Sequence, residues 1–236
     1  MSLYRDEGVV LRTYRLGEAD RIVVLLTRDH GKVRAVAKGV RRTKSKFGAH
    51  LEPMSRVAMQ CWQGRELDIV NQTEALDTFR SVREDLVRFG KAMTMLEVVD
   101  QLALEGNPNP RLYDMLVGAL RVLATSDRPL VLAGFLLKAL SLEGSAPVLD
   151  ACVLCNEEGD LVAFDLVEGG VLCRSCRRGR ALSTEALLLL RRMLGGDLAS
   201  ALDQPPGVIA DEVGEVAIEA MEVHLDRRLR TVRTGI

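Results

Sequence analysis

Aromatic residues make up only 4% of this 236-residue chain, which argues against stacking platforms as its main binding device. No apolar run reaches the roughly 18–20 residues of a membrane span; the nearest, residues 129–142, is broken by Lys138. The opening Met1-Ser2-Leu3-Tyr4-Arg5-Asp6 has no apolar signal region. The expected setting is therefore cytoplasmic, with no membrane partner and with thiols kept reduced. There is no glycine-rich phosphate loop, no glycine-flanked nucleophilic serine and no acidic metal cluster with a partner motif. With no motif for catalysis, the expectation is a protein that is not an enzyme. Charge of one sign is lacking too: 32 basic and 33 acidic residues leave a net charge of −1. A nucleic-acid partner would have to be served by a local patch.

What the chain does have is a cysteine framework. Cys152, Cys155, Cys173 and Cys176 read C-x-x-C, a gap of 17 residues, then C-x-x-C. Two such turns each present a pair of thiolates to one tetrahedral zinc, here structural, because four cysteines close the shell and leave no place for a catalytic water. Residues 161–164 and 169–172 read as two short strands of a zinc ribbon. The ribbon serves either as a staple for a region too small for its own core or, through Arg174, Arg177, Arg178 and Arg180, as a grip on a ligand. Cys61 shares the apolar face of Val57 and Met59 and is expected in the core.

Residues 7–76 alternate short apolar strands with turn signals. Gly17 follows the first strand, residues 21–27 form a nearly continuous apolar run, and Asp29-His30-Gly31 closes a hairpin. Val33, Ala35 and Ala37 alternate with Arg34, Val36 and Lys38, and two more strands flank Gln63-Gly64. Five strands in so short a stretch predict a closed barrel of the OB-fold type. Residues 30–51 carry seven basic side chains, among them Lys32, and no acidic one. The composition suits a loop that tracks a phosphate backbone, with Arg34, Lys38, Arg41, Arg42, Lys44 and Lys46 as candidate contacts; a solvated charged loop is the alternative.

The remainder reads as helix. Val82, Leu86, Phe89, Met93 and Leu96 form one stripe over residues 80–105, and Leu112, Leu116, Leu120 and Leu123 another after Pro110. Residues 130–142 are apolar nearly all round, as in a helix buried on every side. Ser183 caps a leucine-rich helix, and the last helix buries Val213, Val216, Ala217, Ala220, Met221 and Leu225. The chain thus reads as α+β, with an OB-fold domain at 1–79 and a helical domain at 80–150 and 181–236. The zinc ribbon is inserted at 151–180. Arg191-Arg192 is expected at the surface, and none of the three histidines has neighbours that make it a ligand.

In this setting Ala37-Lys38-Gly39-Val40-Arg41-Arg42-Thr43-Lys44-Ser45-Lys46-Phe47 resembles the basic loop of the bacterial RecO family of DNA-repair proteins. Residues 135–147 are similar to that family's Phe-Glu-Leu-x-Leu-Leu…Gly-Tyr-x-Pro pattern, with Leu136 and Ser145 as departures. Pro147-x-Leu149-Asp150-x-Cys152-x-x-Cys155 matches the approach to its zinc motif. The resemblance implies a mediator that binds single- and double-stranded DNA and anneals complementary strands. With RecR, it helps RecA replace the single-strand-binding protein SSB. It places DNA contacts on Lys38, Arg41, Arg42, Lys44 and Lys46 and zinc on the four cysteines. The contact for the SSB C-terminal tail falls in the helical domain, with Lys138 a candidate because it is the one charge on an apolar helix. The competing readings are a protein-binding adapter with little DNA affinity and a nucleic-acid enzyme whose ribbon grips substrate.

Overall fold

Period-two alternation of apolar residues closes the first part of the chain into a barrel. β1 (Leu3–Leu16), β2 (Asp20–Thr27), β3 (Gly31–Ala37), β4 (Arg56–Trp62) and β5 (Asp68–Asp77) pair in the order β1-β2-β3-β5-β4 and close on β1. β3 and β5 are parallel and every other pair antiparallel, in the five-stranded arrangement expected of an OB-type barrel. Val10, Val23, Leu25, Ala35, Val57 and Cys61 fill its interior. Burial pushes the Cys61 thiol up to about 12, as for a small core residue. The coordinates are those of a computed structural model and describe residues 2–43, 45, 47 and 50–233, without the Arg233 side chain.

The chain forms two compact units, one running to Thr125 and resumed at Thr231, the other Ser126–Arg230. In the first, α1 (Arg80–Arg83), α2 (Leu86–Leu102) and α3 (Pro110–Thr125) follow the barrel, and both α2 and α3 lie against β1. The single helix expected over residues 80–105 is divided at Asp85, whose carboxylate accepts hydrogen bonds from the Val87 and Arg88 amides and caps a fresh helix. The break resets the helical phase. Ala92, Met95, Leu96 and Val99 therefore face inward, whereas Leu86 is 67% exposed and Phe89 and Met93 are half-buried. In α3 the expected stripe of Leu112, Leu116, Leu120 and Leu123 is buried, with Asn109 accepting from the Leu112 amide. The buried Asp100 of α2 takes Arg12 Nε of β1 at 2.9 Å, and its carbonyl accepts from Lys32 Nζ of β3 at 2.7 Å.

In the second unit α4 (Val131–Leu142) packs on α7 (Val208–His224), as does α5 (Thr184–Leu194), which Ser183 caps as expected; α6 (Leu198–Ala201) lies against α5. α4 is buried along most of its length, and Lys138 is exposed. α7 buries Val213, Val216, Ala217 and Met221, but Ala220 is only half-buried at the margin of its apolar stripe, and Leu225, just past the end of the helix, is half-buried too. A three-stranded sheet of β6 (Leu161–Asp165), β7 (Gly170–Cys173) and β8 (Arg180–Ala181) carries the cysteine turns. α8 (Arg230–Arg233) ends the described chain, where the Thr231 amide donates to Glu97 at 3.0 Å. Among the described residues no helix is long and apolar enough to cross a membrane.

The β2–β3 turn needs glycine for two separable reasons. Gly31 has φ +71°, and a Cβ there would stand 2.4 Å from the Asn107 carbonyl oxygen, whereas Gly17 has φ +56° with open space around it. Gly17→Ala should cost about 1 kcal/mol from the backbone conformation alone. Gly31→Ala should cost clearly more, up to roughly 3 kcal/mol once backbone strain is added. Urea unfolding midpoints of the two variants compare them directly; equal losses would show that the close approach at Gly31 relaxes freely.

Candidate nucleic-acid interface and metal centre

The basic loop leaves β3 at Ala37 and is stitched to the β1–β2 turn. The Gly39 amide donates to the Asp20 carboxylate at 2.7 Å, the Arg41 amide to the Ala19 carbonyl at 3.0 Å, and Arg41 Nη1 to the Glu18 carbonyl at 2.8 Å. Two turns follow, with the Arg42 amide on the Gly39 carbonyl and the Ser45 amide on the Arg42 carbonyl. Val40 packs against the barrel core, and Phe47 and Leu51 are 1% exposed within it. Between these apolar anchors Arg41, Arg42 and Thr43 are exposed and Ser45 is half-buried.

Lys38, Arg41 and Arg42 are all exposed. Among the described residues none of the three has a carboxylate within ion-pair distance, and the Arg41 bond to a neutral carbonyl leaves its charge intact. Arg34 is exposed on β3 with Glu105 at 3.8 Å, a loose partner, whereas Lys32 is held against Asp100. Lys44 and Lys46 lie outside the described residues. His30 serves structure: its Nδ1 meets the buried Asp6 carboxylate at 2.6 Å and its ring lies 4.3 Å from that of Tyr4.

The ribbon brings its four cysteines together. Their sulfurs all lie within 4.8 Å of one another, with Cys155 and Cys173 at 3.6 Å. A tetrahedron with metal–sulfur bonds of about 2.3 Å has edges of roughly 3.8 Å, so the cluster is of the size to hold one metal ion. Cys152 and Cys173 are buried, Cys176 is half-buried and Cys155 exposed. Against the cost of desolvation, hydrogen bonds from the backbone of Cys173, Leu154 and Cys155 bring the Cys152 thiol down to about 6. Hydrogen bonding with the Cys155 and Cys173 thiols pushes Cys176 up to about 12. The opposed shifts belong to the thiols as a group, in which ionising one discourages the next.

The second basic cluster is spent internally. Arg174 pairs with Asp160 at 2.9 Å, Arg178 with Asp165 at 2.5 Å and Glu168 at 3.0 Å, and Arg180 with Glu215 and Glu219 of α7. Only Arg177 of that group is exposed without a carboxylate partner among the described residues. Arg191, expected simply at the surface, donates through Nε and Nη2 to the Leu149 carbonyl and so secures the approach to the ribbon. Two residues that sequence reasoning passed over, Tyr14 and Trp62, stand exposed on the outer face of the barrel. Their alternation marks them as outward-facing, but only the strand register tells what lies beside them.

Two family models match. The one described as Recombination protein O N terminal covers residues 1–79, and the one described as Recombination protein O C terminal covers residues 83–233.

Metal binding here must displace thiol protons, so affinity should fall as pH drops and each metal bound should release protons. Titration of the chelator-stripped chain with Zn(II) should saturate at about one ion per chain, and Cys152→Ser or Cys173→Ser should abolish that stoichiometry. The sign follows from the free-thiol range near 8.5: stability drawn from bound thiolates is complete above that range and is lost progressively as pH falls below it. A melting temperature indifferent to chelator would count against the cluster as a metal centre.

Proposed function

Because the chain belongs to the Recombination protein O family, we propose that it is a DNA-binding recombination mediator. It binds single- and double-stranded DNA, anneals complementary strands and, with RecR, assists RecA in loading onto DNA coated with SSB. The observation that supports this reading is where positive charge remains unpaired. Lys38, Arg41 and Arg42 are presented together without a carboxylate partner among the described residues, while most of the ribbon arginines are neutralised by ion pairs.

The loop acts on the phosphate backbone. Guanidinium and ammonium groups neutralise phosphates and release counterions, with no dependence on base identity. Two strands of any sequence can therefore be held at one barrel while their pairing is tested, and no chemical step is required of the protein. Zinc is the metal assigned to the four cysteines, since an all-thiolate tetrahedral set suits it and leaves no open coordination position. It supplies folding energy to the ribbon, and the protein is not an enzyme. Lys138, exposed on the otherwise buried α4, is the candidate cation for the acidic, apolar-ended tail of SSB. The setting is the cytoplasm, in association with the nucleoid.

With about five phosphate contacts, the logarithm of single-strand affinity should fall with the logarithm of salt at a slope near −3.5, about −0.7 per contact. Replacing Arg41, Arg42 and Lys44 by glutamate should flatten that slope by about 2 and weaken single strands and duplex alike. Gel shifts at several salt concentrations measure both. An unchanged slope would remove the loop from the interface, and undisturbed RecR or SSB-tail binding without DNA affinity would favour the adapter reading.

A further inference from the structure

The strand registers align one outward position from every strand of the barrel. Tyr14 pairs with Ile22, Ile22 with Val36, Val36 with Ile69, Ile69 with Trp62, and Trp62 with Leu3. Their chain neighbours Val23, Ala35, Ala37, Val70 and Cys61 belong to the interior, so the row lies on the outer surface. Tyr14 is 43% exposed, Trp62 38% and Leu3 42%, and the three aliphatic members between Tyr14 and Trp62 are half-buried. An unbroken apolar row across the outside of a small barrel is unusual, because the outward positions of such a strand are ordinarily polar.

Its shape suggests what it binds. From Tyr14 to Trp62 the row crosses four strand spacings of about 4.8 Å, roughly 19 Å, which accommodates about four nucleotides. Leu16 beside Tyr14 is 38% exposed, but the flanking strand positions Arg12, Arg34 and Gln60 are polar or charged, so the row's apolar area is small against the roughly 800 Å² per partner of a standard protein interface. Cations border it on both sides. Arg34 sits two positions before Val36 along β3, and Lys38 two positions after it at the start of the basic loop, both exposed. The Arg12 guanidinium lies 4.9 Å from the centre of the Tyr14 ring and is itself held by Asp100 at 2.9 Å. One face of that ring is therefore covered by a cation, while the side chain as a whole stays 43% exposed.

We infer that this row is a stacking track for unpaired nucleobases of any sequence. The inference rests on the DNA-binding reading above and adds the device that separates single strands from duplex. The loop engages phosphates, which both forms possess. The row engages base faces, which a duplex keeps stacked on one another. The chain's few aromatic residues are sufficient for this because two of them lie in the same row.

Trp62 is the only tryptophan in the chain, so its fluorescence reports on the row directly. Titration of the full-length protein with an oligo-dT should quench it, and a duplex of equal length should bind without quenching. Tyr14→Ala and Trp62→Ala should each lose about tenfold in oligo-dT affinity with duplex affinity and salt slope unchanged. Tyr14→Phe and Trp62→Phe should keep most of it, and these conservative variants decide the matter should an alanine variant fold poorly. If the wild type binds both DNAs without quenching and the aromatic variants match it, the track is overturned while the DNA-binding reading stands; the row is then open to a protein partner. If the wild type binds neither DNA, that reading falls and the track with it.

Discussion

The Phe47 ring sits inside the barrel beside Leu51, Val57 and Met59, and the basic loop hangs from it on one side and from Val40 on the other. Burying a side chain of that size stabilises the fold by roughly 1.5–3 kcal/mol relative to leaving it exposed. That gain ties the loop to the barrel interior at Phe47. Between the inward-facing anchors Arg41 and Arg42 are exposed, and hydrogen bonds to the Glu18 and Ala19 carbonyls fix Arg41 in place. Such preorganisation reduces the ordering cost that a free basic segment would meet on binding.

Charge pairing then decides which cations are available. In a nearly neutral molecule most arginines find carboxylates, and each pair withdraws positive charge from the surface. Arg12 and Lys32 close on the buried Asp100, Arg56 bonds Glu7 at 2.6 Å, and Arg178 and Arg180 are each shared between two acids. The Arg178 hydrogen bond holds the Asp165 carboxyl below its usual range. In these places the guanidinium acts as a structural brace. Residues 30–51 hold no acidic side chain, and Arg41 meets the Glu18 and Ala19 carbonyls, neutral groups that leave its charge in place.

Much of this was legible in the sequence. The C-x-x-C pairs specify a metal-sized cluster because two tight turns leave thiols little freedom of direction. Strand alternation marked Val33, Ala35 and Ala37 as interior, and Leu112, Leu116, Leu120 and Leu123 declared the inner face of α3. Periodicity misleads where a local device competes with it. Asp85 offers its carboxylate to two free amides and begins a new helix, which displaces the stripe drawn through Leu86, Phe89 and Met93. The ribbon arginines were equally ambiguous, since four cations close in sequence look the same whether or not acids on α7 reach back to them.

The sequence by itself determined the element types, the interior of the barrel, the grouping of the cysteines and the one-signed loop, because each depends on spacing between near neighbours. Only the tertiary structure decided which cations are neutralised and which outward side chains share a row. Ion pairs such as Arg180 with Glu219, and the alignment of Tyr14 with Trp62 through three intervening strands, join residues far apart along the chain. Strand order and helix packing set those distances, and no local pattern encodes them.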